Sequence, residues 1–297
     1  RRIRLVRQRA EEAGIAEIRA LADVVPLLLP HTAYKSYPES FLTGKRWDRL
    51  TRWLGTVSAQ PTDNVDLAGV EDVDGWIAAC EAAGHFVSCT SGTTGKPAML
   101  PAARADLDFA ARENVAAVQW GSGIRAGDQR TMAGYGATAQ SPRNASTGIA
   151  LVGAFADLTK LAAPGDAPAI TIGSITRMIE LRKAIADGTA KPQEIAEFEQ
   201  ESAARQAALD ASLGKAADHI IASRGDRLLI MAMWGPLYQL AEEVRARGYS
   251  GKDFHPENCV FLGGGLKRAK VPENYKEFVY ETFNLSPRFT YQMYGMQ

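Results

Sequence analysis

The stretch Cys89-Thr90-Ser91-Gly92-Thr93-Thr94-Gly95-Lys96-Pro97 crowds hydroxyls, two glycines and a lysine into one short loop, just after the apolar pair Phe86-Val87. That composition suits the wrapping of backbone N–H groups and hydroxyls around phosphate oxygens. Gly92 and Gly95 can take positive φ and let the backbone close on a ligand. Ser91, Thr93 and Thr94 add donors, and Lys96 adds a point charge. The spacing excludes the P-loop of the NTPases, which needs a glycine where Thr90 stands and a Ser or Thr where Pro97 stands. Pro97 also drives Lys96 toward an extended backbone, so the loop should join two strands rather than feed a helix. A plain Ser/Thr/Gly surface turn is the bland reading of the same run.

Two later stretches add to it. Phe261-Leu262-Gly263-Gly264-Gly265 reads as a buried strand entering a glycine turn. The last residues, Phe289-Thr290-Tyr291-Gln292-Met293-Tyr294-Gly295-Met296-Gln297, read as a strand followed by a Tyr-Gly pair. Taken in this order, the three resemble the motifs of the ANL adenylate-forming superfamily, over residue 86 to the end. That group includes acyl- and aryl-CoA synthetases, nonribosomal adenylation domains and luciferases. The chain departs from the family pattern at Ala98-Met99, where Lys-Gly is usual, and at Gln297, where Thr is usual. The run from Gly263 to Lys267 also resembles acyl-protein synthetases and, more loosely, phenylacetate-CoA ligases.

The resemblance implies a function. A carboxylic acid would be activated by ATP and Mg²⁺ to an acyl-adenylate and then passed to a thiol, with CoA as the acceptor. A protein thiol is the variant acceptor, and a nucleotide-binding module without chemistry is the contrasting class. Thr90, Ser91, Gly92, Thr93, Thr94, Gly95 and Lys96 would grip the β/γ-phosphates, with Lys96 and Thr94 catalytic and Thr90 beside Mg²⁺. Gly263, Gly264 and Gly265 with Tyr294 and Gly295 would frame adenine. Trp234 and Tyr135 are candidates for the acid pocket. The implied fold is α/β, the large N-terminal domain of an adenylate-forming enzyme, with mixed β-sheets flanked by helices. The family's small C-terminal domain would follow Gln297, so the chain reads as a fragment that adenylates poorly alone.

Composition narrows the classes further. Lys plus Arg and Asp plus Glu both number 34, which gives no case for a nucleic-acid surface or an acidic membrane partner. No apolar stretch has the length of a membrane span. Three cysteines, Cys80, Cys89 and Cys259, are odd in number and far apart, which fits a reducing cytoplasm better than a disulfide framework or a zinc site. Cys89 reads as a small buried residue or, alternatively, as a thiol of the loop. The four histidines form no metal-binding spacing.

The elements that must hold these residues follow from periodicity. Residues 1–85 read as a helical segment packing on an ATP-binding core of residues 86–297. Surface helices are expected over residues 1–24, a polar-aromatic loop or linker over 31–40, a helix over 40–54, and a short helix from Trp76 to near Gly84. In the core, helices are expected over 101–120, 145–155, 174–186 with Ser174 as cap, 193–223, 237–247 with Pro236 at its first position, and 273–283. Strands are expected at 130–133, 169–172, 227–233, 260–262 and 289–293. A glycine-rich loop, 134–142, should border a pocket. Strands alternating with helices give an α/β domain.

Overall fold

The computed structural model describes residues 2–90, 96–135, 141–161, 171–266 and 269–293. Among them two sheets form. β1 (Phe86–Cys89) pairs antiparallel with β2 (Met99–Ala102), with Phe86 opposite Ala102 and Cys89 opposite Met99. β3 (Thr131–Tyr135), β4 (Leu228–Ala232), β5 (Asn258–Gly263) and β6 (Leu285–Met293) form a second sheet, parallel throughout, in the order β3-β4-β5-β6. The expected mixed sheets are thus one all-parallel sheet and a separate antiparallel pair.

The helices are α1 (Arg4–Glu12), α2 (Ser40–Thr43), α3 (Trp47–Val57), α4 (Val73–Ala82), α5 (Arg104–Ser122), α6 (Pro142–Phe155), α7 (Ile172–Ala186), α8 (Pro192–Ala222), α9 (Trp234–Ala246) and α10 (Tyr275–Phe283). Short 3₁₀ turns, Leu21–Leu27 and His31–Lys35, fill the stretch between α1 and α2. Among the described residues no helix is long and apolar enough to cross a membrane.

Alternation along the parallel strands assigns each face a core. Leu228, Ile230, Val260 and Leu262 pack under Ile220 of α8, Leu237 and Val244 of α9, and Val279 and Phe283 of α10. Leu229, Cys259 and Phe261 face the other way, onto Val118 of α5 and Leu151 and Phe155 of α6. Strands covered on both faces read as continuous apolar runs, which is what residues 228–232 and 258–262 show. A third core joins Trp47, Leu50 and Leu54 of α3 and Trp76 and Cys80 of α4 to Val87 of β1 and Met99 of β2, so it spans position 85. Leu50 is fully buried, and its truncation to Ala would cost about 2–5 kcal/mol.

Several sequence expectations shift by physical causes. The helix expected over 40–54 breaks after Thr43, because Lys45 takes φ +50 and re-aims the chain. The strand expected at 169–172 is absent at Thr171 and Ile172, while Ala169 and Ile170 lie outside the described residues. Instead Thr171, not Ser174, caps α7, its hydroxyl accepting from the Ser174 N–H at 3.1 Å. Trp234 opens α9, which puts Pro236 at the third helical position rather than the first; the lost N–H is one of the four a helix start leaves unpaired anyway. Two buried polar residues pin the parallel sheet. Asn258 accepts from the Leu228 N–H at 2.9 Å and donates to the Phe283 carbonyl at 2.9 Å. Arg130 donates to the carbonyls of Leu228 and Glu257.

Candidate functional site

The run from Cys89 to Pro97 leaves β1 and leads into β2, so it joins two antiparallel strands as Pro97 requires. Ser91, Gly92, Thr93, Thr94 and Gly95 lie outside the described residues; the neck of the loop does not. The Thr90 N–H donates to the Ala98 carbonyl at 3.1 Å, and the Ala98 N–H donates back to Thr90 Oγ1 at 2.9 Å. These two bonds extend the β1–β2 ladder by one rung. The Thr90 hydroxyl is therefore committed to closing the neck.

Beneath the neck stands Tyr37, fully buried. Its hydroxyl donates to the Pro97 carbonyl at 2.6 Å, and its ring meets Trp53 edge-on with centroids 4.8 Å apart. Burial holds the Tyr37 phenol above its ordinary range, so it stays a donor. The Lys96 ammonium donates to the Tyr37 carbonyl and lies 4.6 Å from the ring centroid. In this arrangement Lys96 rests on the brace of its own loop. The sequence placed Tyr37 in an undecided loop or linker; its neighbour Pro38 and the aromatics around it gave no sign of a partner 60 residues away. Cys89 reads as the inert alternative. Burial first, then the Asp74 and Cys80 charges, push its thiol up to about 12, so it carries no thiolate at neutral pH.

Because the larger sheet is parallel, its four strands end on one edge, at Tyr135, Ala232, Gly263 and Met293. Ligands of open parallel sheets bind outside such an edge. Gly264 turns with φ +74 and donates its N–H to the Met293 carbonyl at 2.8 Å, which holds the glycine turn against the end of β6. Among the described residues, a Cβ on Gly263 or Gly265 would meet nothing within 4 Å. Tyr294 and Gly295 follow directly and lie outside the described residues. A shallow cavity of about 330 Å³ opens between Gly235, Pro236 and Tyr238 of α9 and Ala269, Lys270 and Val271 beyond the turn.

The two pocket candidates part ways. Trp234 is 3% exposed and packs edge-on against Tyr275 at 5.2 Å, as part of the core under α9. Tyr135 is half-buried at the end of β3, and its hydroxyl donates to the Leu209 carbonyl of α8 at 3.3 Å. Burial, and then the Asp210 charge, raise its pKa, so it is uncharged at neutral pH. Among the described residues no group of three His, Cys, Asp or Glu side chains converges to hold a metal. The sequence matches no family model and no curated protein.

Proposed function

We propose that this chain binds Mg·ATP and serves an ATP-dependent carboxylate–thiol ligase of the adenylate-forming type, with CoA as acceptor. The observation that carries this reading is the antiparallel β1–β2 pair flanking the run, with its neck closed by Thr90 and braced by Tyr37. A loop between antiparallel strands would offer amides and hydroxyls to phosphate without a helix dipole, which separates it from a P-loop. The glycine turn held against the end of β6 supports a place for the base.

In the first half-reaction a carboxylate oxygen attacks the α-phosphorus, and the bond to the pyrophosphate oxygen breaks. In the second, a thiolate attacks the acyl carbon and AMP leaves with the electron pair. Both partners of the first step are anionic, so their approach needs screening and alignment. Thr94 and the loop amides would hold the β/γ-oxygens. Lys96 would leave Tyr37 to place its charge on them. That Lys96 stands on Tyr37 also suits a second reading, a nucleotide-binding module without chemistry. Carboxylate-dependent exchange of labelled pyrophosphate into ATP, by the protein as its cell makes it, decides between them. Exchange abolished by Thr94→Ala or Lys96→Ala is the ligase outcome; Mg·ATP binding without exchange under a broad panel of acids overturns it.

A further inference from the structure

α8 runs antiparallel to β3. Near the helix end, His219 Nε2 donates to the Met132 carbonyl at 3.0 Å; earlier in the helix, the Leu209 carbonyl accepts from Tyr135 at the strand's carboxyl end. The helix starts at Pro192, so roughly 25 Å of it, at about 1.5 Å per residue, lies beyond Leu209. This overhang stands where the ligand edge of the sheet opens. Most of it is solvated, with Ile195, Phe198, Ser202, Arg205 and Leu209 forming a half-buried stripe along one face.

Arg205 is out of place in that stripe. Its Nε is shielded from solvent and has no hydrogen-bond partner. Among the described residues its guanidinium enters no hydrogen bond, ion pair or ring contact. The carboxylate one turn earlier, Glu201, is taken by Arg177 at 3.1 Å, and Asp210 accepts from Gln206 at 2.8 Å. An arginine stays charged at any working pH, and an unmade buried N–H bond is costly. An oxyanion would supply the acceptor that this Nε lacks. One helical turn separates it from Leu209, hence from the end of β3. β6, where the base would lie, is three strand spacings away, on the order of 14 Å.

We propose that Arg205 is an anion-binding residue of this site, receiving an oxyanion carried by the acid or by the thiol acceptor rather than by the triphosphate. The assignment rests on the nucleotide reading above for the position of the triphosphate alone. The shared chemistry is a carboxylate or phosphate group held by the guanidinium fork. The acid then carries a second carboxylate, or the acceptor is recognised through its phosphates.

Calorimetric titration of the whole chain and of its Arg205→Gln and Arg205→Lys variants tests this. The probes are Mg·ATP, glutarate against butyrate, and CoA against pantetheine. Arg205→Gln should weaken glutarate or CoA by about tenfold or more, with Arg205→Lys regaining part of the loss. Butyrate, pantetheine and Mg·ATP should stay within about twofold, as uncharged or separately held ligands do. A loss confined to glutarate puts the anion on the acid; one confined to CoA puts it on the acceptor. Unchanged affinities for all probes overturn the proposal, as does a wild type that binds neither glutarate nor CoA, or a variant that loses Mg·ATP in parallel. Failure of Mg·ATP to bind the wild type sinks the nucleotide reading instead and leaves the anion comparison standing. Arg205→Leu separates a structural role: its melting temperature should hold or rise, and a fall with all affinities intact would contradict a ligand-binding arginine.

Discussion

Tyr37 is the side chain on which the loop depends. One buried hydroxyl holds the Pro97 carbonyl, and the same residue's carbonyl and ring receive Lys96. Tyr37→Phe keeps the packing and removes one buried hydrogen bond, leaving the Pro97 carbonyl without its donor. The expected cost is about 1–2 kcal/mol in urea unfolding. An unchanged midpoint would mean that water replaces the hydroxyl and that the brace is weak. Asn258 makes the sharper case, since its amide serves buried backbone groups of two neighbouring segments. Asn258→Ala should cost about 3 kcal/mol, because a buried N–H and a buried carbonyl both lose their partners. A loss below about 1 kcal/mol would show that the sheet relaxes around the vacancy.

At the scale of elements, α8 divides into a docked and an undocked part. Its fully buried residues, Ala217 and Ile220, sit in the last turns. Amide hydrogen exchange should therefore be slow over residues 213–222 and faster by orders of magnitude over 193–208, since local opening tracks buried contact. Uniform protection along the helix would show that something covers the overhang. This helix was legible in the sequence because its Ala, Glu and Arg content is strong and no glycine or proline interrupts it before Gly214. The strands at 228–232 and 258–263 were legible for a related reason, as apolar runs that only a doubly covered sheet can bury. What failed was decided by tertiary partners. Ser174 reads as the cap because 169–172 reads as a strand; α7 starts earlier, at Ile172, and that hands the cap to Thr171. Trp234 reads as a strand end but helix α9 draws it into the core. Tyr37, Arg130, Arg205 and Asn258 carry no local pattern at all, because their roles lie in contacts or missing contacts far along the chain.

For the molecule as a whole, the titrating groups set a window of stability. Burial lowers the His85 pKa, so below about pH 6.5 the unfolded chain binds a proton that the folded one resists, and stability falls as pH drops toward the folded value. Asp226 is held below its ordinary 3.8 by bonds from Lys160 and Thr131. Its contribution is present above that value and vanishes as pH falls through the lower folded one. On the alkaline side burial raises Cys80 and Cys89 to about 12 and Cys259 to about 11, against an ordinary 9.0. Unfolded thiols ionise from about pH 9 while the folded ones stay neutral, so stability should decline steadily between pH 9 and 11. A melting temperature that is flat from about pH 6.5 to 9 and falls on both sides is the expected profile; no decline by pH 11 would contradict the buried thiols.

The nucleotide grip is tested most directly by calorimetric titration of Mg·ATP into the wild type, Thr94→Ala and Lys96→Ala. Saturable binding to the wild type is expected, with a loss of about tenfold or more in each variant and melting temperature preserved. Absence of binding to the wild type, or equal affinity in all three proteins, would contradict it.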